Sequence, residues 1–518
     1  MGDMKTQRFK PYTPKQAMLM PADLEEMIPE KHLVRVVDEM IDGLDIAPLK
    51  RQYKGGGTSA YHPRMLLKVL VYAYSQQTFS SRKIAKALRE NIHYMWLSGM
   101  SRPDHRTINR FRGVVMKEVV EEVFYGVVEQ LYEMGYIELE KYFVDGTKIE
   151  ANANRYSFVW RKSTKRYKAN LQEKVRKMLE EIEKIEAEEE ALYGEQDYPE
   201  VGEGKTIDKK ALQEAADRIS QKLRKDPQNK KLKKAKRDLE QDYIPREEKY
   251  ERYEEILGER NSFSKTDEDA TFMRMKEDHM RNGQLKAGYN IQTGTENQFV
   301  TGYSIHQKPG DTSCLKEHLE QRKRWLDKYP QVLVADAGYG SEENYAYLKD
   351  KDITAYVKYN IFHYEQKKRI KKKKPYRQEN FPYNPEKDEY RCPQNKVLSY
   401  QYTKDVTSHN GYHSTRRIYE CSDCQDCPTK TDCTKSKYNR KLYIGVELLQ
   451  MRKTARDLLL SPEGVKMRSQ RPVEVEAVYG RLKHNWGFRR FLLRGMDKVK
   501  VEWGLLTMAH NIAKVAAL

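Results

Sequence analysis

The sequence has no run of 18 apolar residues, so no membrane-spanning helix is expected. Its first ten residues, MGDMKTQRFK, are polar and lack the apolar stretch of a secretory leader, which points to a cytoplasmic chain. Cysteine is scarce: six in 518 residues, five of them between Cys392 and Cys433. That usage excludes a disulfide framework and fits a reducing compartment with one metal site. Apolar residues reach 38%, low for a compact enzyme, while charged residues make up 33%, so solvated helices are expected beside a core. At roughly 100–200 residues per domain, the length leaves room for about three domains or one elaborated core.

Acid is the minority charge. Asp and Glu number 77 against 96 Lys and Arg, a net charge of +19. A surplus of that size points to a polyanion, because each cation set on a phosphate releases a counterion. Nucleic acid is the expected partner, and no membrane is.

Residues from about 14 to 140 read as helical. Leu33, Val37, Met40 and Ile41, then Met65, Leu66, Val69, Leu70 and Tyr74, recur at helical spacing. Ser80–Leu88 reads as a capped short helix, and after Trp96–Gly99 a second starts at Arg102–Asp104 and carries Arg106 and Arg110. Two short helices, the second opened by arginine and polar residues, suggest a helix-turn-helix-like DNA-binding unit; a plain helical bundle is the other reading. In LEKYFVDGTKIE, residues 139–150, Phe143, Asp145, Thr147 and Ile149 alternate with Tyr142, Val144 and Gly146, the period of a strand.

Leu171, Val175, Met178, Ile182 and Ile185 mark the seam of a short coiled coil. A turn-rich break at Gly194–Gly204 follows. A helix with Leu212, Ile219 and Leu223, an interruption at Asp226–Pro227 and a lysine-rich third helix complete a helical arm. Strands return over Leu285–Thr293 and Phe299–Ile305, followed by a helix from about Thr312 to Lys328. The apolar run VLVAD at 332–336, a helix at Glu342–Leu348 and a strand at 353–359 come next. Residues 364–440 break the pattern with the lysine run that ends at Lys374 and the cysteines, and helix resumes after them. The order is α/β: a mixed sheet with long inserts.

Phosphoryl transfer in DNA asks for charge neutralisation and in-line geometry, which two divalent cations about 4 Å apart supply. Such hard cations take carboxylate oxygens. Asp145 lies within the first strand, and Asp336 ends another, where open α/β sheets place ligands. Both sit among apolar residues, where an unpaired carboxylate is costly; a buried Asp paired with Lys or Arg is the structural alternative. Near the C-terminus, Pro472 suits the first turn of a helix. Glu476 and Lys483 are two helical turns apart and share a face, whereas Glu474 is about half a turn out of phase with Lys483. Glu476 is therefore the candidate third acid and Lys483 a candidate phosphate contact, with an ordinary surface Glu–Lys helix as the alternative.

Several segments carry a resemblance in their order and length: Phe143–Asn154; Thr266–Asp267 with Ala270; Tyr289–Gln292; Ala335–Ser341; and Val475–Lys483 running into Gly487–Gly495. Together they resemble the DDE-type insertion-sequence transposases of bacteria, in particular the branch called eleven-eighty-two. The resemblance implies an RNase H-like catalytic core in which Asp145, Asp336 and Glu476 are the catalytic and metal-binding triad, holding two Mg²⁺ (or Mn²⁺) ions. It implies a helical N-terminal DNA-binding region at 1–138, core segments at 139–164 and 261–360, and a C-terminal helical part of the core at 446–518. The helical coiled-coil insertion then covers 165–260 and a basic, Cys-rich insertion 361–445.

One departure stands out. Related transposases place a Tyr, an Arg, the Glu and a Lys at fixed spacing; here the positions four and seven before Glu476 are Pro472 and Ser469, and Arg471 is one residue off. The implied activity is metal-dependent cleavage and strand transfer at the terminal inverted repeats of an insertion sequence. The implied partners are double-stranded DNA, as those repeats and the target, and a second copy of the chain in the DNA complex, in a nucleoid-associated setting. The candidate DNA-binding residues are Lys483, Arg471, Arg489, Arg490, Arg106, Arg110 and Lys148. A catalytically inactive or domesticated DNA-binding repressor is the competing reading, against which the presence of all three acids argues; a nuclease without strand transfer is a third.

Cys421, Cys424, Cys427 and Cys433, with Cys392 upstream, resemble a zinc knuckle or ribbon. The candidate Zn²⁺ ligands are Cys421, Cys424, Cys427 and Cys433. Five thiols for four positions leave the choice open, and His409 and His413 are further candidates.

Overall fold

The structure, a computed structural model, describes residues 23–53, 59–193, 209–275, 284–366 and 374–518. The Gly194–Gly204 break, the lysine run up to Lys373 and the side chain of Ile185 lie outside the described residues. The chain forms two compact units, one of Met1–Val119 with Met508–Leu518 and one of Val120–Thr507. No described helix is long and apolar enough to cross a membrane.

The first unit is helical. Helix Pro63–Ser75 is buried at every position from Leu66 to Ser75, and Lys68 within it is matched by Asp38 and Asp42 of helix Leu33–Asp42. An interior ammonium is tolerated when carboxylates meet it in this way. Where sequence periodicity suggests two short helices, there are three: Ser81–Glu90, Ile92–Leu97 and His105–Arg110. Ser80 makes no side-chain cap; the capping carboxamide and carboxylate are Asn91, accepting from His93 N at 2.9 Å, and Asp104, accepting from Thr107 N at 2.7 Å. Arg106 and Arg110 are exposed on the last of these helices.

The second unit is built on a mixed sheet. Strand β1 is Lys141–Glu150, and a short β2, Phe158–Trp160, follows it. The chain then leaves the sheet through helix Arg161–Tyr193 and helices Lys209–Lys225, Lys230–Asp238 and Ile244–Leu257. The apolar seam of Leu171, Val175 and Ile182 packs with Leu212, Ala216, Ile219, Leu232, Leu239 and Tyr250, so the expected coiled coil is part of a multi-helix core. A 3–4 spaced stripe is satisfied by any packed helix face, not by a single partner. The arm returns through β3, Ser262–Ser264, which pairs antiparallel with β2; neither strand is legible in the sequence, being three residues each.

Next come β4 Thr271–Arg274, β5 Leu285–Glu296, β6 Phe299–His306, β7 Val332–Ala335 and β8 Thr354–Val357. The sheet runs β5-β1-β7-β8, with β4 and β6 both paired to β5; β1 is antiparallel to β5 and parallel to β7, and β7 is parallel to β8. As a central strand, β1 is buried without interruption from Tyr142 to Thr147 and does not show the half-buried alternation its residue types suggest. Residues 383–444 form a separate five-stranded antiparallel sheet of β9 Tyr383–Asn384, β10 Glu389–Arg391, β11 Val397–Thr407, β12 His413–Cys421 and β13 Lys441–Ile444. Helices Val446–Leu460 and Pro462–Arg471 follow.

A buried network fixes the start of β1. Tyr142 OH lies 2.8 Å from His318 Nε2, and His318 Nδ1 lies 2.7 Å from Ser304 Oγ. Burial, with His306 and Arg322 nearby, pushes His318 down to about 3. The folded imidazole is neutral while the unfolded one titrates near 6.5, so stability from this group is full above about pH 6.5 and falls as pH drops toward 3. To the pH dependence of thermal unfolding this group should add a loss of about 1.4 kcal/mol per pH unit across that window. His318→Gln should remove that slope; an unchanged slope in the variant would assign it elsewhere.

Candidate active site

Two aspartates come together by register. Val144 on β1 pairs with Ala335, the last residue of the parallel strand β7, so the next residues, Asp145 within β1 and Asp336 just past β7, follow at neighbouring positions. Strands in a sheet are about 4.8 Å apart. Asp145 is 7% exposed and accepts from Gly146 N at 2.9 Å. Asp336, just past β7, caps a 3-10 turn, Ala337–Tyr339, by accepting from Gly338 N at 2.8 Å.

Glu476 reaches them through arginine. Arg471 Nη1 is 3.4 Å from Asp145 Oδ2, and Arg471 Nη2 is 3.0 Å from Glu476 Oε1. The one-residue offset of Arg471 in the sequence is absorbed by a π turn, Pro472–Glu476, with Ala477 N donating to Pro472 O. Five residues in a π turn bring Arg471 onto the face of Glu476, as four would in an α-helix. Pro472 is therefore inside a helical run that starts at Pro462, not in its first turn. A proline there removes one N–H, which the wider turn accommodates. Glu474 accepts from Gln298 N at 2.7 Å and so faces the β5–β6 turn, leaving Glu476 as the acid beside Arg471.

Lys358, just after β8, is a second cation in the cluster. Burial and the charges of Arg471 and Arg468 push its ammonium down, against the pull of Asp336 and Glu476. Among the described residues, no three His, Cys, Asp or Glu side chains stand as a ready metal-binding group. The Arg471 guanidinium bridges Asp145 and Glu476.

The structure adds a carboxylate that sequence reading misses. Asp311 Oδ1 accepts from Asn290 Nδ2 at 2.9 Å and from Gln292 Nε2 at 3.0 Å. Gln292 Oε1 in turn accepts from the buried Tyr339 OH. Burial, then the charges of Asp311, Asp145, Tyr479 and Asp336, raise the Tyr339 phenol well above its ordinary range. A methyl group at Gly146 would overlap Asp311 Oδ1, and one at Gly338 would lie 2.9 Å from Asp336 Oδ1 and 3.9 Å from Asp311 Oδ2. The two glycines thus let the carboxylates of Asp311 and Asp336 approach the backbone closely, and carboxylate oxygens are the donors a hard divalent cation takes. Asp311 lies in a loop with no periodic pattern; its only sequence signal is that Asn290 and Gln292 occupy alternate positions of β5. For a divalent cation held at these carboxylates, Asp311→Asn is expected to raise the metal concentration needed for half-saturation about 10–100-fold. Unchanged metal dependence would show that Asp311 stands apart from the site.

The expected DNA-binding cations have varied settings. Lys483 is 6% exposed, and its Nζ lies 3.1 Å from Thr147 Oγ1 on β1. Lys148 Nζ donates to Arg274 O at 3.0 Å. Arg489 and Arg490 are exposed, but Arg490 Nε and Nη2 donate to Ala151 O and Ala153 O, at 3.2 and 2.9 Å. Asn152 Nδ2 donates to Leu492 O, and Arg494 Nε to Asn152 O. Two segments singled out in the sequence, 150–154 and 487–495, therefore clamp each other. Asp267 joins them by accepting from Tyr289 OH at 2.9 Å and Gly495 N at 3.2 Å.

The cysteines converge on one side of the five-stranded sheet. Cys392, Cys421, Cys424, Cys427 and Cys433 line one small cavity, and none is disulfide-bonded. His413 pairs with Thr407 at the far end of the β11–β12 hairpin, while Cys421 pairs with Leu398 at the near end. At about 3.4 Å per residue, eight residues separate His413 from Cys421 by roughly 27 Å. The hairpin geometry removes His413, and with it His409 of the same tip, from the candidate ligands.

Residues 391–516, which include Glu476, match the family model described as a transposase DDE domain, and residues 22–113 match a transposase domain, DUF772. No curated protein and no solved structure matches the chain. The two matches, one on each part of a chain whose sheet sets Asp145 beside Asp336, support a DDE-type transposase family and a transposase function.

Proposed function

We propose that the protein is a DDE transposase with an RNase H-like core, which cleaves and joins DNA at the terminal inverted repeats of its insertion sequence. The single observation that carries the reading is the Val144–Ala335 register, which sets Asp145 and Asp336 at neighbouring positions with Glu476 tied to Asp145 through Arg471. Asp145, Asp336 and Glu476 would hold two Mg²⁺ or Mn²⁺ ions, which supply activation of the attacking oxygen and stabilisation of the leaving one. The aspartates are fixed by backbone N–H donors from Gly146 and Gly338, so their oxygens are oriented before any ligand arrives. Arg471 meets Asp145 and Glu476, and Lys358 feels the charges of Asp336 and Glu476, so both cations would be placed to meet phosphate once the carboxylates hold metal. Water or a DNA 3′-hydroxyl is the nucleophile, so no covalent bond from protein to DNA is formed. A second copy of the chain is needed in the DNA complex because two ends are joined.

The test is cleavage of an oligonucleotide bearing the element's end, with Mg²⁺ or Mn²⁺, by wild type and Asp336→Asn. Cutting by wild type alone supports the reading. Binding without cutting by either protein moves the DNA-binding repressor ahead.

A further inference from the structure

We propose that Cys392, Cys421, Cys424 and Cys433 hold one structural Zn²⁺, and that Cys427 lies outside the coordination shell. This inference is independent of the catalytic reading. Sequence spacing favours Cys427 over Cys392, because Cys421, Cys424 and Cys427 are evenly spaced; the fold favours the reverse.

Four observations carry it. First, Cys421 and Cys424 are buried in the small core of the β9–β13 sheet, with Phe381, Tyr390, Leu398, Tyr419, Leu442 and Ile444, and Cys392 and Cys433 pack against the same core while Cys427 does not. Second, backbone N–H groups are aimed at the sulfurs: Lys396 N lies 3.3 Å from Cys392 Sγ, and Arg440 N lies 3.4 Å from Cys424 Sγ. Donors placed on sulfur favour the thiolate, which is the ligand form. Third, Cys392 sits in a tight turn, accepting from Asn395 N at 2.8 Å and donating its own N–H to Lys396 O at 2.9 Å, so it is presented by a closed loop from β10 toward the end of β12. Fourth, the cavity between the sulfurs is about 20 Å³. That is room for about one atom-sized occupant.

Cys427 lines the same cavity, with Thr429 Oγ1 at 3.6 Å from its Sγ and Thr429 donors favouring its thiolate as well; its place outside the apolar core is what separates it from the other four. Four thiolates around Zn²⁺ carry a net negative charge, and Arg440 and Lys396, the latter paired with Asp423, line the same cavity. The sulfurs ring the cavity without yet closing on one point. A sheet with so small a core is the kind that a tetrahedral zinc site completes.

The test uses the full-length protein purified in the presence of zinc. Metal analysis should give one Zn²⁺ per chain in wild type and in Cys427→Ser, with at least about a tenfold loss of affinity in Cys392→Ser. Because Cys392→Ser could disturb folding, thiol alkylation of zinc-loaded wild type, mapped by mass spectrometry, provides a second measurement. Cys427 should be labelled first, and Cys392, Cys421, Cys424 and Cys433 only after a chelator is added. Absence of zinc from the wild-type protein, or protection of Cys427 with free labelling of Cys392, would overturn the assignment.

Discussion

Asp336→Asn is expected to cut its DNA end about 10³-fold more slowly than wild type, or worse, while binding that end equally well. The substitution keeps the shape of the side chain. An asparagine oxygen can still accept from Gly338 N, the bond that Asp336 makes at 2.8 Å, so the turn Ala337–Tyr339 stays capped. What is lost is the charge. Asp145, Asp311 and Glu476 then remain, with Arg471 and Lys358 still present, and one carboxylate fewer holds a divalent cation less tightly. On the proposed reading, the end is bound by basic residues across the chain, so its binding should hardly change. Equal cutting by wild type and variant would place the metal site elsewhere.

Gly294→Ala should be among the most destabilising single substitutions in the sheet, by about 3 kcal/mol. Gly294 on β5 pairs with Val144 on one side and Gly302 on the other. The side chain of Tyr142 crosses this pair: a methyl group on Gly294 would overlap its ring, and one on Gly302 would overlap its hydroxyl oxygen. The ring cannot step aside. It is fully buried, its hydroxyl is held by His318, and Arg322 lies over its face at 4.8 Å. Denaturant unfolding measures the loss, and a midpoint equal to that of wild type would refute it. Combining the substitution with Tyr142→Ala should cost less than the sum of the two single changes, because the clash and the ring disappear together.

The strands and helices of the sheet are legible where apolar runs are bounded by turns. Val332–Ala335 reads as a strand because four apolar residues end in Asp336, and Leu315–Leu326 reads as a helix because its apolar residues recur at helical spacing. The cysteine-bearing sheet is not legible. Most of β11 is exposed on both faces, so it offers neither alternation nor an apolar run. Arg471 looks one residue out of place against the spacing of related transposases because the backbone over Pro472–Glu476 forms a π turn. Asp311 gives no local signal, since what marks it is the pair of amides that face it from β5.

By itself, the sequence determined the charge balance, the mixed α/β order and the three acids as candidates, because composition, periodicity and flanking residues are local properties. Tertiary structure alone decided which side chains meet. The parallel register of β1 and β7 sets Asp145 beside Asp336, and the π turn swings Arg471 onto Glu476. The return of β12 toward the turn after β10 gathers Cys392 with Cys421. These contacts join residues tens to hundreds of positions apart, and strand pairing and helix phase bring them together in ways that no window of sequence contains.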